Sequence, residues 1–418
     1  MSKIIYLVKY FITFVVFLYL SSFSNVFAAT LEELENRISI LTDEIEDMKM
    51  GTGGHKEKRV FLHGYGELHY NNTIDGSKQM DMHRFVIGIH ALLTDRIHLN
   101  AEIDFEHGAQ EMELEFGYLD FLINSKLNFR AGAVLVPVGF LNEFHEPPLF
   151  WTVERPELQS KVIPTTWGAG GAGMFGELTE GLKYRLYVVN SVQSVKADGA
   201  NCGDSALNLG GSCGLFRSSD GIRKGRRQLD HADADDLAVT GRLEYSNFDL
   251  VPGLQLGFSF YTGDTTHGLI SEGGRTTVIE GDVKYRWNWF DMNATIANIS
   301  ISDAAAINTY NTAQGTASGT VADNIFGYNI QGGVHLPQLL NLNTDHDFIP
   351  FILYENFDTQ DSVPAGFTRD PSKDTEVITV GFSYMPASNA ALKLDYQTFK
   401  YGNNTSKNKF NMAVAFMY

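Results

Sequence analysis

Residues 97–106 read IHLNAEIDFE, in which Ile97, Leu99, Ala101, Ile103 and Phe105 alternate with His98, Asn100, Glu102, Asp104 and Glu106. Side chains of a strand point to opposite faces at every step, so this segment has one apolar and one charged face. Residues 279–287 repeat the pattern, with Ile279, Gly281, Val283, Tyr285 and Trp287 opposite Glu280, Asp282, Lys284 and Arg286. Charge on that scale cannot be buried dry. The charged faces are therefore expected to enclose water and the apolar faces to meet lipid. From Val60 to the C-terminus sixteen segments of about 9–13 residues, the length of a tilted bilayer-crossing strand, show such alternation. Odd-numbered segments are mostly followed by long connections such as 137–167, 191–235 and 301–324, whereas even-numbered ones mostly end in tight turns such as Thr94-Asp95 and Asn124-Ser125-Lys126. An even count with short turns at one rim and long loops at the other predicts an all-β fold, a 16-stranded antiparallel transmembrane β-barrel, preceded by a short N-terminal α-helical coiled coil. Closure satisfies every backbone donor and acceptor in lipid, as an open sheet does not. The last strand, Phe410 to Tyr418, keeps the alternation to an aromatic final residue.

Composition agrees with that reading. The 418 residues carry 50 Asp+Glu against 32 Lys+Arg, a net charge of −18, which argues against a nucleic-acid partner. A mean hydropathy of −0.13 is too polar for a bundle of membrane helices, while 29 Phe, 18 Tyr and 40 Gly suit a membrane sheet. Lys3 and Lys9, the apolar run Tyr10 to Leu20 and the small residues before Ala28 predict a signal peptide over 1–28. Thr30 and Glu33 form a capping box, and Leu31, Leu34, Ile38, Leu41, Ile45 and Met48 keep an a/d register over 30–49. The segment is read as a periplasmic coiled coil, with a single amphipathic helix as the alternative. Residues 50–59 form a polar linker and 60–418 the barrel, placed in the bacterial cell outer membrane among lipid and lipopolysaccharide.

The segment from Arg130 to Leu178, RAGAVLVPVGFLNEFHEPPLFWTVERPELQSKVIPTTWGAGGAGMFGEL, carries R-A-G, P-x-G, E-R-P, I-P and a Gly-rich strand. This skeleton resembles the third-loop region of porins of the phosphate-selective porin O/P type and of related siderophore-associated porin-type proteins. The resemblance implies that Val138 to Trp167 folds into the lumen as the constriction, carrying Glu143, His145, Glu146, Glu154, Arg155, Glu157 and Lys161. It also implies a homo-oligomer, a trimer. Four glutamates against Arg155 and Lys161 depart from an anion-selective pattern and predict mild cation preference. By alternation the lumen wall includes Glu102, Asp104, Glu106, Glu111, Glu113 and Glu115 on one side. Arg84, Arg130, Lys183, Arg185, Arg242, Lys284 and Arg286 supply the other, giving a transverse field. Local pairing of these charges is the alternative.

His63, His69, His90 and His98 are expected to face inward, as solvated side chains or as ligands of a metal or metal chelate. The solvated reading is preferred, so no metal or other cofactor is expected. Cys202 and Cys213, in the longest loop, are expected to form a disulfide outside the cytoplasm. The basic run Arg223-Lys224-Gly225-Arg226-Arg227 either attracts anions or pairs with Asp230, Asp233, Asp235 and Asp236. No Gly-x-Ser-x-Gly, His-Glu-x-x-His or P-loop pattern occurs, and the chain is not expected to be an enzyme. The expected function is a porin for small hydrophilic solutes or ions. The alternatives are a receptor taking up an iron–siderophore complex and an envelope-anchoring protein.

Overall fold

The computed structural model describes residues 59–196, 215–229, 232–248 and 251–418. The segments read as signal peptide and coiled coil, nearly all of the linker, and Cys202 and Cys213 lie outside the described residues. The sixteen strands are β1 (Val60–Thr73), β2 (Lys78–Thr94), β3 (Ile97–Glu106), β4 (Glu111–Leu122), β5 (Asn128–Leu135), β6 (Gly168–Thr179), β7 (Leu182–Asn190), β8 (Leu237–Tyr245), β9 (Leu254–Gly263), β10 (Thr276–Trp287), β11 (Phe290–Ile301), β12 (Asn324–Val334), β13 (Asp347–Ser362), β14 (Asp374–Ala387), β15 (Ala390–Tyr401) and β16 (Ser406–Met417). Each pairs antiparallel with its sequence neighbours, and β1 pairs with β16 from Tyr65↔Met417 to Thr73↔Lys409, closing the barrel. No helix among the described residues is long and apolar enough to cross a membrane.

Alternation sets which side each residue faces. Leu114, Leu186, Phe258, Ile279, Val380 and Val414 are exposed on the outer surface, while Glu102, Asp104, Arg242, Glu280, Asp395 and Asn411 are buried inside. At the short-turn end, outer aromatic rings meet across neighbouring strands: Phe121 with Phe129, Trp287 with Trp289, and Phe348 with Tyr384. Such a girdle suits the interfacial zone of a bilayer. The closing seam is tight. Tyr418 exchanges backbone bonds with Gly64, and its hydroxyl donates to the Val86 carbonyl at 3.1 Å. A Cβ on Gly64 would lie 2.1 Å from the Val86 oxygen and 2.7 Å from the Tyr418 hydroxyl. Glycine at 64 lets the terminal ring cross the seam.

Two β-bulges break the alternation in β2 and β4. Glu67 pairs with Arg84 but Leu68 with Met82, so His83 is the extra residue. Likewise Glu102 pairs with Phe116 but Ile103 with Leu114, so Glu115 is extra. A bulge re-aims the residue it inserts. Strict alternation would turn His83 to lipid; the bulge brings its ring against inward-facing His69, 4.6 Å away.

The upper lumen corrects the expectation of polar inner faces throughout. Inward residues near the long-loop ends, including Val189, Tyr261, Val278, Ile299, Ile325, Val377 and Phe399, are apolar and buried. They pack against residues of the long loops: Val136, Leu158, Ile163 and Trp167 after β5, Phe216 and Ile222 after β7, and Ile307 after β11. The β11–β12 connection, expected as a plain loop, contains helix α3 (Ala304–Ala313). The β5–β6 loop contains the short helices α1 (Phe140–Glu143) and α2 (Leu158–Lys161). A dry core inside the barrel thus seats the loops over β6 to β15. The strands β2 and β13, of 17 and 16 residues, are also longer than the expected length of about 9–13. The turn after β1 is only 74–77, and Phe357 to Gln360 of β13 are buried, with Thr359 and Gln360 bonded to the loop carbonyls of Ser218 and Thr320, so the sheet continues where alternation stops.

Candidate functional site

The β5–β6 loop is held at its neck by its own residues. Val136 N–H donates to the Trp167 carbonyl at 2.8 Å, and the buried Asn142 amide bridges both ends. Its Nδ2 donates to Val136 O at 2.6 Å while its Oδ1 accepts from Trp167 N–H at 2.8 Å. Gly139 turns the chain inward at a φ of 73° that favours glycine. Beyond the neck, each turn of the loop meets a polar group from the wall. Glu143 pairs with Arg185 of β7 at 2.9 Å, and His145 Nε2 lies 2.7 Å from Glu115 of β4. Lys393 of β15 donates to the carbonyls of Pro147 and Thr152 at 2.6 and 3.0 Å and sits over the Phe150 ring. Val153 N–H donates to Asp395 of β15 at 2.7 Å. Glu154 accepts from Asn71 of β1 at 2.8 Å and lies 3.1 Å from His69 Nδ1. Glu157 and Leu158 N–H groups donate to the two oxygens of Glu355 on β13 at 3.2 and 2.9 Å, capping α2 from the wall, and Glu157 reaches Lys409 of β16 at 3.7 Å. Strands from both halves of the barrel therefore hold one loop across the lumen.

Electrostatics reinforce the docking. Burial opposes charge on His145, but Glu115 outweighs it and raises the imidazole above its ordinary value. Burial would raise Glu154; the His69 bond and charge win and hold it down to about 2. Arg155 lies deep in the loop and donates to the His145 carbonyl at 3.3 Å. Arg223 donates to Ser160 O and Thr165 Oγ1, both at 3.2 Å, and Arg226 to Thr165 O and to Thr166 Oγ1. Arg223 and Arg226 of the basic run thus dock on the β5–β6 loop. Asp233 accepts from Gln193 and Asp236 from His267. Burial, then neighbouring Arg223, push the Arg226 guanidinium down to about 9.

Of the wall residues, Arg84 is the hub of the acidic side. It reaches Glu67, Asp104, Glu106 and Glu115 at 3.0–3.4 Å. Glu102 lies 3.8 Å from His145, and Glu113 pairs with Asp104 across the ladder. These groups gather under the loop. Elsewhere Arg130 makes a two-pronged pair with Asp120, and Arg242 contacts Glu244, Glu280 and Asp282. Lys183 stands opposite Glu177 and Glu244, and Arg286 opposite Asp291, all near the short-turn rim. Lys284 Nζ sits 4.1 Å from the centre of the Phe140 ring, and Lys161 ends α2. Glu146 keeps one buried carboxylate oxygen without a hydrogen bond. Between the loop and β10–β12 lies a cavity of about 190 Å³, with Phe140, Leu149 and Trp151 on one side and Lys284, Asn293 and Gln331 on the other. Glu355, Lys393, Asp395 and Asn142 escaped the sequence reading. The β15 pair was available to alternation, since Lys393, Asp395 and Gln397 fall on one face of the strand and Leu392, Leu394 and Tyr396 on the other.

No family model matches the chain. A protein of Aquifex aeolicus, described only as uncharacterized, is 30% identical over 374 residues, 87% of this chain and 80% of that protein. The chain belongs to the same family as that protein. Among solved structures, the outer membrane channel DcaP of Acinetobacter baumannii aligns over 88% of this chain and 100% of its own, at 11% identity and a TM-score of 0.54. The anion-selective porin of Comamonas acidovorans aligns over 86% and 99%, at 11% identity and 0.51. A loop-deletion mutant of Vibrio cholerae OmpT, an outer membrane protein, covers the same shares at 9% identity and 0.51. At these identities the likeness is one of fold: the closed sixteen-stranded barrel of outer-membrane porins.

Proposed function

We propose that the chain is an outer-membrane porin, a water-filled passage for small hydrophilic solutes or ions, assembled as a homo-oligomer, with its N-terminal segment periplasmic and no catalytic role. The observation that carries this reading is the β5–β6 loop tied across the lumen to strands of both halves, leaving a polar-walled cavity against β10–β12. A dedicated receptor has no need of a wall-anchored crossing loop, whereas a porin needs one to narrow its bore. The closer likeness to porins of the phosphate-selective O/P type rests on the motif between Arg130 and Leu178. The acidic cluster under the loop faces Arg155, Arg223 and Arg226, so a solute passing there meets a field directed across its path. The carboxylates outnumber the bases, favouring cations mildly. A disulfide between Cys202 and Cys213 belongs to the same proposal for the exported protein. Liposome swelling tests it. Proteoliposomes should swell in isotonic pentose or amino-acid solution at rates that fall with solute size, and vesicles that swell no faster than protein-free ones would refute it.

A further inference from the structure

The histidines that meet at the long-loop rim are only partly those that alternation singled out. His90 and His98 touch each other edge-on at 5.3 Å and His90 bonds Asn100, toward the opposite end of the wall. At the rim, His83 Nδ1 and His107 Nδ1 converge on one oxygen, Asp81 Oδ2, at 3.2 and 2.8 Å. The two rings stand edge to face, 5.6 Å apart. A zinc-type ion bonds imidazole nitrogen at about 2.0–2.1 Å, so adjacent ligand atoms in octahedral or tetrahedral sites lie about 2.9–3.4 Å apart. The observed spacings fall in or at the edge of that range. The Nε2 of His83 faces Arg84 at 3.4 Å, leaving Nδ1 as the atom turned toward the cluster.

Two further groups share these histidines. Glu106 and Glu111 offer carboxylate oxygens beside His107, and His69 and Glu154 offer ligand atoms beside His83; within each group the atoms lie within 4.8 Å of one another. The three groups run from the rim down to the constriction loop. The turns over this stretch of wall are the short ones, 74–77 and 107–110, so the cluster is reached directly from the mouth. His107, in the second turn, is the most exposed of the three ligands, at 44% of its side chain.

We infer that Asp81, His83 and His107 bind a divalent transition-metal ion of the Zn²⁺, Ni²⁺ or Cu²⁺ class on the inner wall at the mouth of the barrel. Two imidazoles with one carboxylate suit these ions rather than Mg²⁺ or Ca²⁺, which prefer all-oxygen shells. The site does not depend on whether solutes cross the barrel. The test uses tag-free, full-length exported protein folded in detergent micelles. Calorimetric titration with Zn²⁺ should show one saturable site per chain. The Cu²⁺-loaded protein should show nitrogen hyperfine coupling from two imidazoles in its electron paramagnetic resonance spectrum. Each of His83→Ala and His107→Ala should weaken Zn²⁺ binding by at least about 100-fold, the upper end of what loss of a mere outer-shell partner costs. His346→Ala, at the opposite rim, should bind as the parent does. His107 lies in an exposed turn, so its replacement keeps the barrel intact even if His83→Ala does not fold. Absence of saturable binding, or unchanged affinity in His107→Ala, overturns the inference. Zinc binding in a barrel that passes no solute would sink the porin reading and leave the metal site standing.

Discussion

Replacing Glu355 by leucine removes the wall carboxylate that caps α2. Glu355 is fully buried, and its two oxygens accept the Glu157 and Leu158 N–H groups at 3.2 and 2.9 Å. Each of these hydrogen bonds contributes roughly 0.5–1.5 kcal/mol, and each buried N–H left unpaired costs about 1–3 kcal/mol. Burying leucine recovers part of the loss, because an apolar side chain replaces a polar one that is held out of water. A net cost of about 3 kcal/mol to the docked loop is a reasonable expectation, and at about 1.4 kcal/mol per tenfold it raises the undocked population about 100-fold. The barrel's own ladders are untouched, so the effect stays local. Hydrogen exchange read on peptides covering 153–162 should accelerate by about two orders of magnitude, while β13 and β14 peptides keep their protection. Glu355→Gln, which keeps one acceptor oxygen, should fall between. Exchange within about threefold of the parent in Glu355→Leu would show that the wall carboxylate does not hold the loop.

The loop's docking should depend on pH from both sides. Glu154 is held down to about 2, so its tie to His69 contributes above the ordinary carboxylate range and is lost as the pH falls toward that value. His145 is raised, so its tie to Glu115 is fully present below the ordinary imidazole value and is lost as the pH rises through the raised one. Protection of 143–157 from proteolysis should peak between roughly pH 4.3 and 6.5, and a profile flat from pH 3 to 9 would contradict the pairing. Gly64→Ala should loosen the β1–β16 seam, because its methyl would collide with the Val86 carbonyl and the Tyr418 ring. An overpacking cost of about 1–3 kcal/mol predicts a lower urea midpoint for unfolding, and an unchanged midpoint would mean that the seam relaxes freely.

Most of the barrel was legible because its signal is a period of two that lipid on one side and polar groups on the other enforce. Which residues of β3, β10 and β16 face inward follows directly from such alternation. Where the inner surface stops being polar, the signal fails. Val278 and Ile299 are apolar and inward because α3 and the loop after β7 cover them, and alternation cannot tell a residue facing lipid from one facing a folded-in loop. Bulges are equally invisible. His83 enters the lumen only because β2 has one residue more there than its partner strand, a count that depends on pairing rather than on either strand alone; Glu115 lies where alternation from Glu111 and Glu113 puts it, and the bulge resets the face only beyond it. The inward folding of the β5–β6 loop was legible in its motif, but its anchors were not. Glu355, Lys393 and Asp395 lie 197 to 246 residues away in sequence from the loop groups they bond and meet the loop only once the barrel has closed.

Single-channel recording of the exported protein in a planar lipid bilayer tests the central claim most directly. Insertion should give discrete, ohmic conductance steps in potassium chloride with no added ligand, and a tenfold salt gradient should give a reversal potential of the sign expected for modest cation preference. A barrel that inserts yet stays electrically silent in salt alone would contradict the account.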